Sequence, residues 1–420
     1  MSATALRLPA ILEQSPSLRH DFAWTLAGNS VFAACQWGAV MGLAKLSSTA
    51  AVGQFALGMA VTAPIFLFSN LSLRTVLATD GGGQFAFRAY RRLRLLTTAA
   101  ALSLALTIAV AGGYRPETAM FIGVVGLSKA IESVSDIYYG LRQLQGCMRR
   151  IAISMILRSV GSLAALVGIL AMGGSPVTAV AATVVVWLAI LLGYDMSSAA
   201  PEHSSPLQAT GRQALLGMAR SSLPLGLTAM LLSFNTNIPR YFLDRRGSES
   251  AVGIYSALAL FAVAGGTVMN AIGQSVMTRL ADAYREGRRK EFLHLLSKLG
   301  GAAAGLGGLG IAVSALAGRE ILLLFYRSEY AEHATVLALL MFAGAIQCFG
   351  SCLGFAVTAM RLFRVQMWIH AATSVVTLAC AWPLIQKWGL AGAAWASIAG
   401  SACAAVPYGV IAYRKLKAWQ

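Results

Sequence analysis

Residues Ala50–Leu73 read AAVGQFALGMAVTAPIFLFSNLSL and contain no charged side chain. A helix rises about 1.5 Å per residue and the hydrocarbon core of a bilayer is about 30 Å thick. About 20 apolar residues therefore span it, and this run is long enough. Eleven further runs share its character: Phe22–Ala44, Leu95–Gly113, Ala119–Tyr139, Ile151–Met172, Val177–Tyr194, Ala214–Phe234, Ala251–Met277, Leu299–Ala317, Ala334–Met360, Val365–Leu384 and Gly389–Ala412. Gly, Ala and Ser crowd them, as suits helices whose backbones pack closely in lipid. A β-barrel would show alternating segments of roughly ten residues, and none occur. The sequence predicts an all-α polytopic membrane protein with about 12 transmembrane helices.

The composition agrees. Of 420 residues 57% are hydrophobic and 12% charged, with a mean hydropathy of +0.67. Soluble domains carry about 25% charged residues, so this chain has too few to cover a surface in water. The formal net charge is +17. Basic residues sit between apolar runs rather than in one patch, which argues against nucleic acid. The hydrophobicity excludes disorder. Six Cys in a chain this long are no disulfide scaffold. Cys35, Cys348, Cys352, Cys380 and Cys403 lie in apolar runs and Cys147 in a loop, where thiols act as small hydrophobes.

Most of the basic excess is a topology signal. With the N-terminus inside, 23 of the 33 Lys and Arg fall in cytoplasmic segments and 8 in outer ones, while Lys129 and Arg158 fall within spans. Arg94 is counted inside and Arg240 outside. The positive-inside rule then makes both termini cytoplasmic. The polar first twenty residues lack the layout of a cleavable signal, so the first span is its own insertion signal.

The chain divides in two. A polar stretch over residues 196–212, containing Pro201, Glu202, His203 and Pro206, separates six spans in residues 1–195 from six in 213–420. The halves also repeat: Lys45-Leu-Ser-Ser-Thr-Ala-Ala-Val-Gly53 aligns with Arg245-Arg-Gly-Ser-Glu-Ser-Ala-Val-Gly253. Each segment leads into a span that ends before a basic loop, Asp80–Arg94 or Arg279–Lys298. Two six-helix bundles of the same topology are parallel repeats, which place a substrate at their interface and rock about it. Pro64 and Pro224 lie inside spans, where a missing donor can bend a helix.

Charges inside spans are expensive and mark functional sites. Lys129, Glu132 and Asp136 lie along one helical face, Arg158 is about 12 Å above Arg150 by helical rise, and Arg74 ends the second span. Asn29 and Gln36 share a face of the first span. Asn235, Asn237, Asn270 and Gln274 form a secondary polar set in the second half, which has no deep charge. Two readings stand. One is structural: Lys129 pairs with Glu132, and Arg158 with Asp136. The other is functional: Lys129, Arg158 and Arg74 hold an anionic group in a wet cavity with Asn29 and Gln36, while Glu132 or Asp136 takes a coupling cation.

Gly305-Leu-Gly-Gly-Leu-Gly310 matches a dinucleotide-binding pattern, but no strand precedes it, and it reads as a close-packing helix face. The five His have no metal-ligand spacing, so no metal is expected. Tyr138, Tyr139, Trp382, Trp388 and Trp419 fall at span ends and read as interface anchors.

The chain resembles the polysaccharide-transport (oligosaccharide flippase) family, in the superfamily that also holds multidrug-and-toxin extruders and the lipid II flippase. The resemblance rests on Ala51-Val-Gly-Gln-Phe-Ala-Leu-Gly-Met-Ala60 through Leu73-Arg-Thr-Val-Leu-Ala-Thr-Asp80. With these go Lys129-Ala-Ile-Glu-Ser-Val-Ser-Asp136 through Gly140 and Gln143, and Arg150-Ile-Ala-Ile-Ser154 through Arg158. It covers nearly the whole chain. It implies the multidrug-and-toxin-extruder fold and a bacterial inner-membrane protein. Its task would be to move an undecaprenyl-diphosphate-linked oligosaccharide to the periplasmic leaflet by alternating access, for O-antigen or exopolysaccharide biosynthesis. Arg74, Lys129 and Arg158 would receive the head group. No cofactor is implied; H+ or Na+ coupling would run through Glu132 or Asp136, unless the membrane potential alone biases return. The partners implied are the lipid-linked oligosaccharide, the bilayer, and a polysaccharide polymerase with assembly proteins, the chain itself being a monomer.

Two alternatives remain. A cation-coupled multidrug antiporter of the same fold would prefer a more acidic cavity. A membrane-embedded glycosyltransferase or polymerase would carry catalytic residues on a sizeable outer loop, yet the first outer loop is about Leu46–Thr49 and the longest about Arg319–His333.

Overall fold

The computed structural model describes residues 18–78, 85–197, 211–246 and 248–418. The expected linker, apart from its first and last residues, lies outside these, as do Arg7, Asp80 and Trp419. The first half comprises α1 (Leu18–Leu46), α2 (Thr49–Ser69), α3 (Leu73–Ala78), α4 (Phe87–Ala111), α5 (Pro116–Leu144), α6 (Met148–Ala171) and α7 (Pro176–Ile190). A wider π-helical turn, Leu191–Met196, prolongs α7. The second half comprises α8 (Arg212–Arg245), α9 (Glu249–Arg285), α10 (Arg289–Phe325), α11 (Ser328–Ala331), α12 (Ala334–Ala359), α13 (Phe363–Trp388) and α14 (Leu390–Ala418).

Counting α2 with α3 as one crossing, the described residues form twelve long helices in two bundles of six. Eleven of these are long and apolar enough to cross a membrane. The twelfth, α1, carries Asn29 and Gln36 in its middle, and these dilute its apolar character. Several helices outrun the predicted spans. Arg94 and Arg240, expected in loops, belong to α4 and α8. The Gly305–Gly310 stretch lies in α10, where Gly307 and Gly310 pack against Ala345 and Met341 of α12 while Gly305 and Gly308, expected to share a close-packing face, meet nothing within 4 Å.

Within the first bundle α1 packs on α6, and α5 lies centrally against α2, α4 and α7. In the second, α12 packs between α10 and α14, with α9 and α13 alongside. The bundles meet chiefly along α2, which runs against α8 and α9. Small residues permit that approach. A Cβ on Gly53 would fall on the Glu249 carbonyl oxygen and 3.1 Å from the Gly253 amide nitrogen; one on Gly253 would meet the Thr49 carbonyl oxygen and stand 2.8 Å from the Gly53 nitrogen. Near the other end of α2, a Cβ on Gly226 of α8 would lie 2.8 Å from the Phe68 carbonyl oxygen.

The repeat read from the sequence has a structural counterpart in the helix starts. Ser48 caps α2 by accepting the Ala51 amide at 3.2 Å, and Ser248 caps α9 by accepting that of Ala251 at 3.1 Å. Such caps satisfy donors that a helix start leaves unpaired.

The second crossing is broken. Leu71 and Ser72, between α2 and α3, adopt left-handed backbone with φ of 49° and 50°. Residues with a Cβ enter that region at a cost of about 1 kcal/mol or more. Irregular backbone at membrane depth persists only where protein surrounds it. Here Leu71 is buried, and Arg94 donates a hydrogen bond to the adjacent Asn70 side chain.

Candidate functional site

The N-terminal bundle holds a small, partly open cavity of about 60 Å3. Five helices line it, contributing Gln36 from α1, Phe55 from α2, Lys129 from α5, Ser162 from α6 and Trp187 from α7. Lys129 donates to Glu132 at 2.8 Å, one helical turn along. The pair expected between Lys129 and Glu132 is therefore formed, and the lysine also faces the cavity.

The pair expected between Arg158 and Asp136 is not formed. Asp136 is held instead by Arg94 at 3.1 Å and Arg74 at 3.4 Å. Arg94 is fully buried, and Arg74 reaches Asp136 from α3 while its Nε donates to Gln143 at 3.3 Å. A buried cation without a counter-charge would cost several kcal/mol, so Arg94 and Asp136 stabilise one another. Nothing local marks this pairing, because the partners are 42 positions apart on different helices.

Arg158 is only 3% exposed. Its guanidinium stands 4.7 Å from the Trp187 ring centroid and 5.5 Å from that of Tyr139, and it donates to the Tyr139 hydroxyl. Two of its nitrogens, Nε and Nη1, have no hydrogen-bond partner. Trp187 shares the cavity wall with Lys129, so Arg158 lies just behind that wall. Tyr138 and Tyr139, expected at the membrane interface, are buried in this bundle. Trp382 and Trp388 are exposed as expected of anchors.

The remaining amides separate into two groups. Asn237 donates to the Ser233 carbonyl at 2.8 Å and accepts from Arg240 at 2.6 Å, while Asn235 accepts from Thr377 at 2.8 Å. These are packing contacts inside the second bundle. Asn29, Asn270 and Gln274 are exposed. Trp37 of α1 meets Phe261 of α9 edge to face at 5.3 Å. Asn29 precedes Trp37 by about 12 Å of rise and Asn270 follows Phe261 by about 14 Å, so these amides stand at similar depth on two helices of opposite direction. Exposed amides mid-span are tolerated where water reaches them. Asn29 and Asn270 are therefore exposed polar groups at one depth, one on each bundle.

The polar contacts between the bundles gather at one end. Between described residues, the hydrogen bonds, ion pairs and ring contacts that join the halves lie toward the α2 and α9 N-termini. Gln54 donates to Glu249 at 3.0 Å and to Glu117 at 3.1 Å, Thr118 also donates to Glu249, and Arg115 stands 3.7 Å from it. Arg327 donates to the Lys45 carbonyl at 2.6 Å, and Lys45 donates to that of Leu324 at 2.7 Å. Trp37 stacks on Phe325 and donates to the Tyr326 hydroxyl at 3.2 Å. Burial pushes Tyr326 up to about 12, so its proton is retained for the Ala257 carbonyl, 3.2 Å away. Lys45, Gly53, Glu249 and Gly253 fall within the repeat read from the sequence; the other closing groups did not stand out, because each needs its partner from the other half to acquire meaning.

Comparison with known proteins bears on the fold. No family model matches the chain. It is 25% identical over 377 residues to the capsular polysaccharide biosynthesis protein CapF of Staphylococcus aureus, covering 89% of this chain and 94% of that one. It superposes on an inward-facing multidrug resistance MATE family transporter of the MOP superfamily with a TM-score of 0.76, at 14% identity over 94% of this chain and 98% of that one. The outward-facing form of such a transporter gives a TM-score of 0.60 at 16% identity, over 94% of each chain. The resemblance read from the sequence is borne out, and the fold is that of this transporter superfamily.

Proposed function

We propose, for a chain with the MOP-superfamily transporter fold that resembles a capsular polysaccharide biosynthesis protein along nearly its whole length, that it flips an undecaprenyl-diphosphate-linked oligosaccharide across the bacterial inner membrane. In this reading a cleft between the bundles opens to the cytoplasm, where both termini lie, and the Gly53–Gly253 closure faces outward. The closer superposition on the inward-facing relative than on the outward-facing one supports that orientation of states. The head group enters from the cytoplasmic side while its polyprenyl tail stays in lipid. Lys129, together with Arg74 at the inner mouth, attracts the pyrophosphate, and Gln36, Asn29, Asn270 and Gln274 offer hydrogen bonds to sugar hydroxyls. Rocking of the bundles then opens the outer end, as in other transporters built from parallel repeats. The chain works as a monomer that hands its cargo to a polymerase and assembly proteins. No cofactor is needed.

The observation that carries this reading is the similarity to CapF, which covers almost all of both chains. Deleting the gene in its own host and complementing with Lys129→Ala or Arg74→Ala tests it. Surface polymer should vanish on deletion and fall at least tenfold in the Lys129 variant at matched protein level. Full polymer in the deletion strain would overturn the reading.

A cation-coupled multidrug antiporter is the second reading, favoured by the match to a multidrug transporter. It prefers an acidic cavity, whereas the four cations Arg74, Arg94, Lys129 and Arg158 outnumber the three carboxylates Glu132, Asp136 and Asp195 in this bundle. A deletion strain with unchanged surface polymer and raised drug sensitivity would select it.

A further inference from the structure

Three carboxylates lie within the N-terminal bundle, and the two half-buried ones are paired. Glu132 has Lys129 at 2.8 Å, and Asp136 has Arg94 and Arg74 within 3.4 Å. Asp195 differs. It is 6% exposed, sits in the π-helical turn that ends α7, and has no cation within ion-pair distance among the described residues. One oxygen, Oδ1, accepts from the Ser154 hydroxyl at 2.6 Å, and the other, Oδ2, is buried on the side where only the Ser135 hydroxyl faces the carboxyl group, with no cation against it. A π-helical turn is a rare irregularity in a spanning helix and recurs at functional positions.

The hydrogen bonds leading to Asp195 have a fixed direction. Ser154 lies 2.8 Å from the Tyr139 hydroxyl, and Tyr139 accepts from Arg158. The Ser154 proton points at Asp195, so Tyr139 must donate to Ser154. The chain therefore runs Arg158 to Tyr139 to Ser154 to Asp195, with every donor aimed at the carboxyl group. Facing Asp195 from the helices packed around it are Arg158 and Ser154 of α6 and Ser135 and Arg142 of α5. Tyr194 stands beside it on its own turn and faces Arg142, as do Cys147 and Arg150. Neither arginine makes a direct salt bridge to Asp195.

A buried carboxylate held only by serine hydroxyls, with no ion-paired cation, is costlier than the neutral acid. We propose that Asp195 is a proton-holding site of the N-terminal bundle, and that its occupancy governs the charge felt at Arg158. With the proton on Oδ2, no negative charge ends the chain, and Arg158 is left available to an anion. When the proton leaves to water at the cytoplasmic end, the carboxylate draws on Arg158 through Tyr139 and Ser154. Proton and anion thus bind with positive coupling, and by linkage each raises the affinity for the other. This coupling does not depend on what the protein carries, and it moves the coupling group away from Glu132 and Asp136, whose charges are already matched.

Infrared spectroscopy of the purified full chain in detergent tests it without any substrate. At neutral pH the wild type should show the C=O stretch of a protonated carboxyl group in an apolar setting. Asp195→Asn should lose that band, and Glu132→Gln and Asp136→Asn should keep it. Should Asp195→Asn fail to express, Ser154→Ala decides, because it removes one hydrogen bond from the acid and must shift the frequency of the same band. A band that is missing from the wild type, that survives Asp195→Asn, or that is unmoved by Ser154→Ala overturns the proposal.

Discussion

Gly53 and Gly253, aligned with each other in the sequence repeat, pack backbone against backbone where α2 and α9 begin, and neither position has room for a Cβ. The two halves of the repeat thus touch through their own equivalent residues, as two copies of one motif do across an axis. This contact and the hydrogen bonds around Glu249 join the bundles at one end.

A bulky side chain at either glycine should prop this end open. Gly53→Leu or Gly253→Leu is expected to lower polymer export at least tenfold while the protein still reaches the membrane. Gly265→Ala, where a Cβ meets nothing within 4 Å, should leave export intact. Equal effects at all three positions would contradict a role for the close approach.

Glu249 is the hub of the same closure, accepting from Gln54 and Thr118 of the opposite half with the exposed Arg115 guanidinium 3.7 Å away. Glu249→Ala strands those donors, and a stranded buried polar group costs about 1–3 kcal/mol. About 2 kcal/mol shifts a two-state population roughly 30-fold. Spin labels placed on the starts of α2 and α9 should therefore report a longer separation in the Glu249→Ala protein than in the wild type.

Arg94 and Arg74 share Asp136 but differ in burial, and their removal should differ accordingly. Arg94→Ala leaves Asp136 short of its buried partner and the Asn70 turn without its donor, a loss of about 3 kcal/mol in stability. Arg74 is about one-third exposed, so Arg74→Ala should cost less than about 1 kcal/mol in stability. Thermal melting in detergent should show a much lower Tm for Arg94→Ala than for Arg74→Ala, and equal melting would refute the assignment.

Lys129 distinguishes structure from binding. If its only task is to balance Glu132, the double variant Lys129→Met/Glu132→Met should restore what Lys129→Ala removes. If Lys129 attracts an anionic head group, the double variant stays inactive although it is as stable as the wild type. We expect the second outcome, measured as surface polymer at matched protein level.

The crossings were legible in the sequence because an uninterrupted run of about twenty apolar residues is the mark of a membrane span. The repeat was legible because Ser48, Gly53, Ser248 and Gly253 sit at one constant offset. Lys129 and Glu132 were legible as a pair because one helical turn separates them. Arg94 was hidden by its neighbours: Arg88, Arg91 and Arg92 make the stretch look like a basic loop, and only the fold brings Asp136 to it. Asp195 looked like the last residue before the linker, since its partner Ser154 lies on another helix and the π-helical turn has no signature in residue order. The expected contact between Arg158 and Asp136 failed for the same reason: helical rise gives depth in the membrane but not rotation about the helix axis.

Flipping itself can be measured by a leaflet assay with the purified chain in liposomes that contain polyprenyl-diphosphate-linked oligosaccharide extracted from its own host. A lectin or glycosidase added outside counts the oligosaccharide reached over time. The wild type should move the inner pool outward, Lys129→Ala should slow this at least tenfold, and protein-free vesicles should show only their original outer fraction. An outer fraction in wild-type vesicles no larger than in protein-free ones would contradict a flippase.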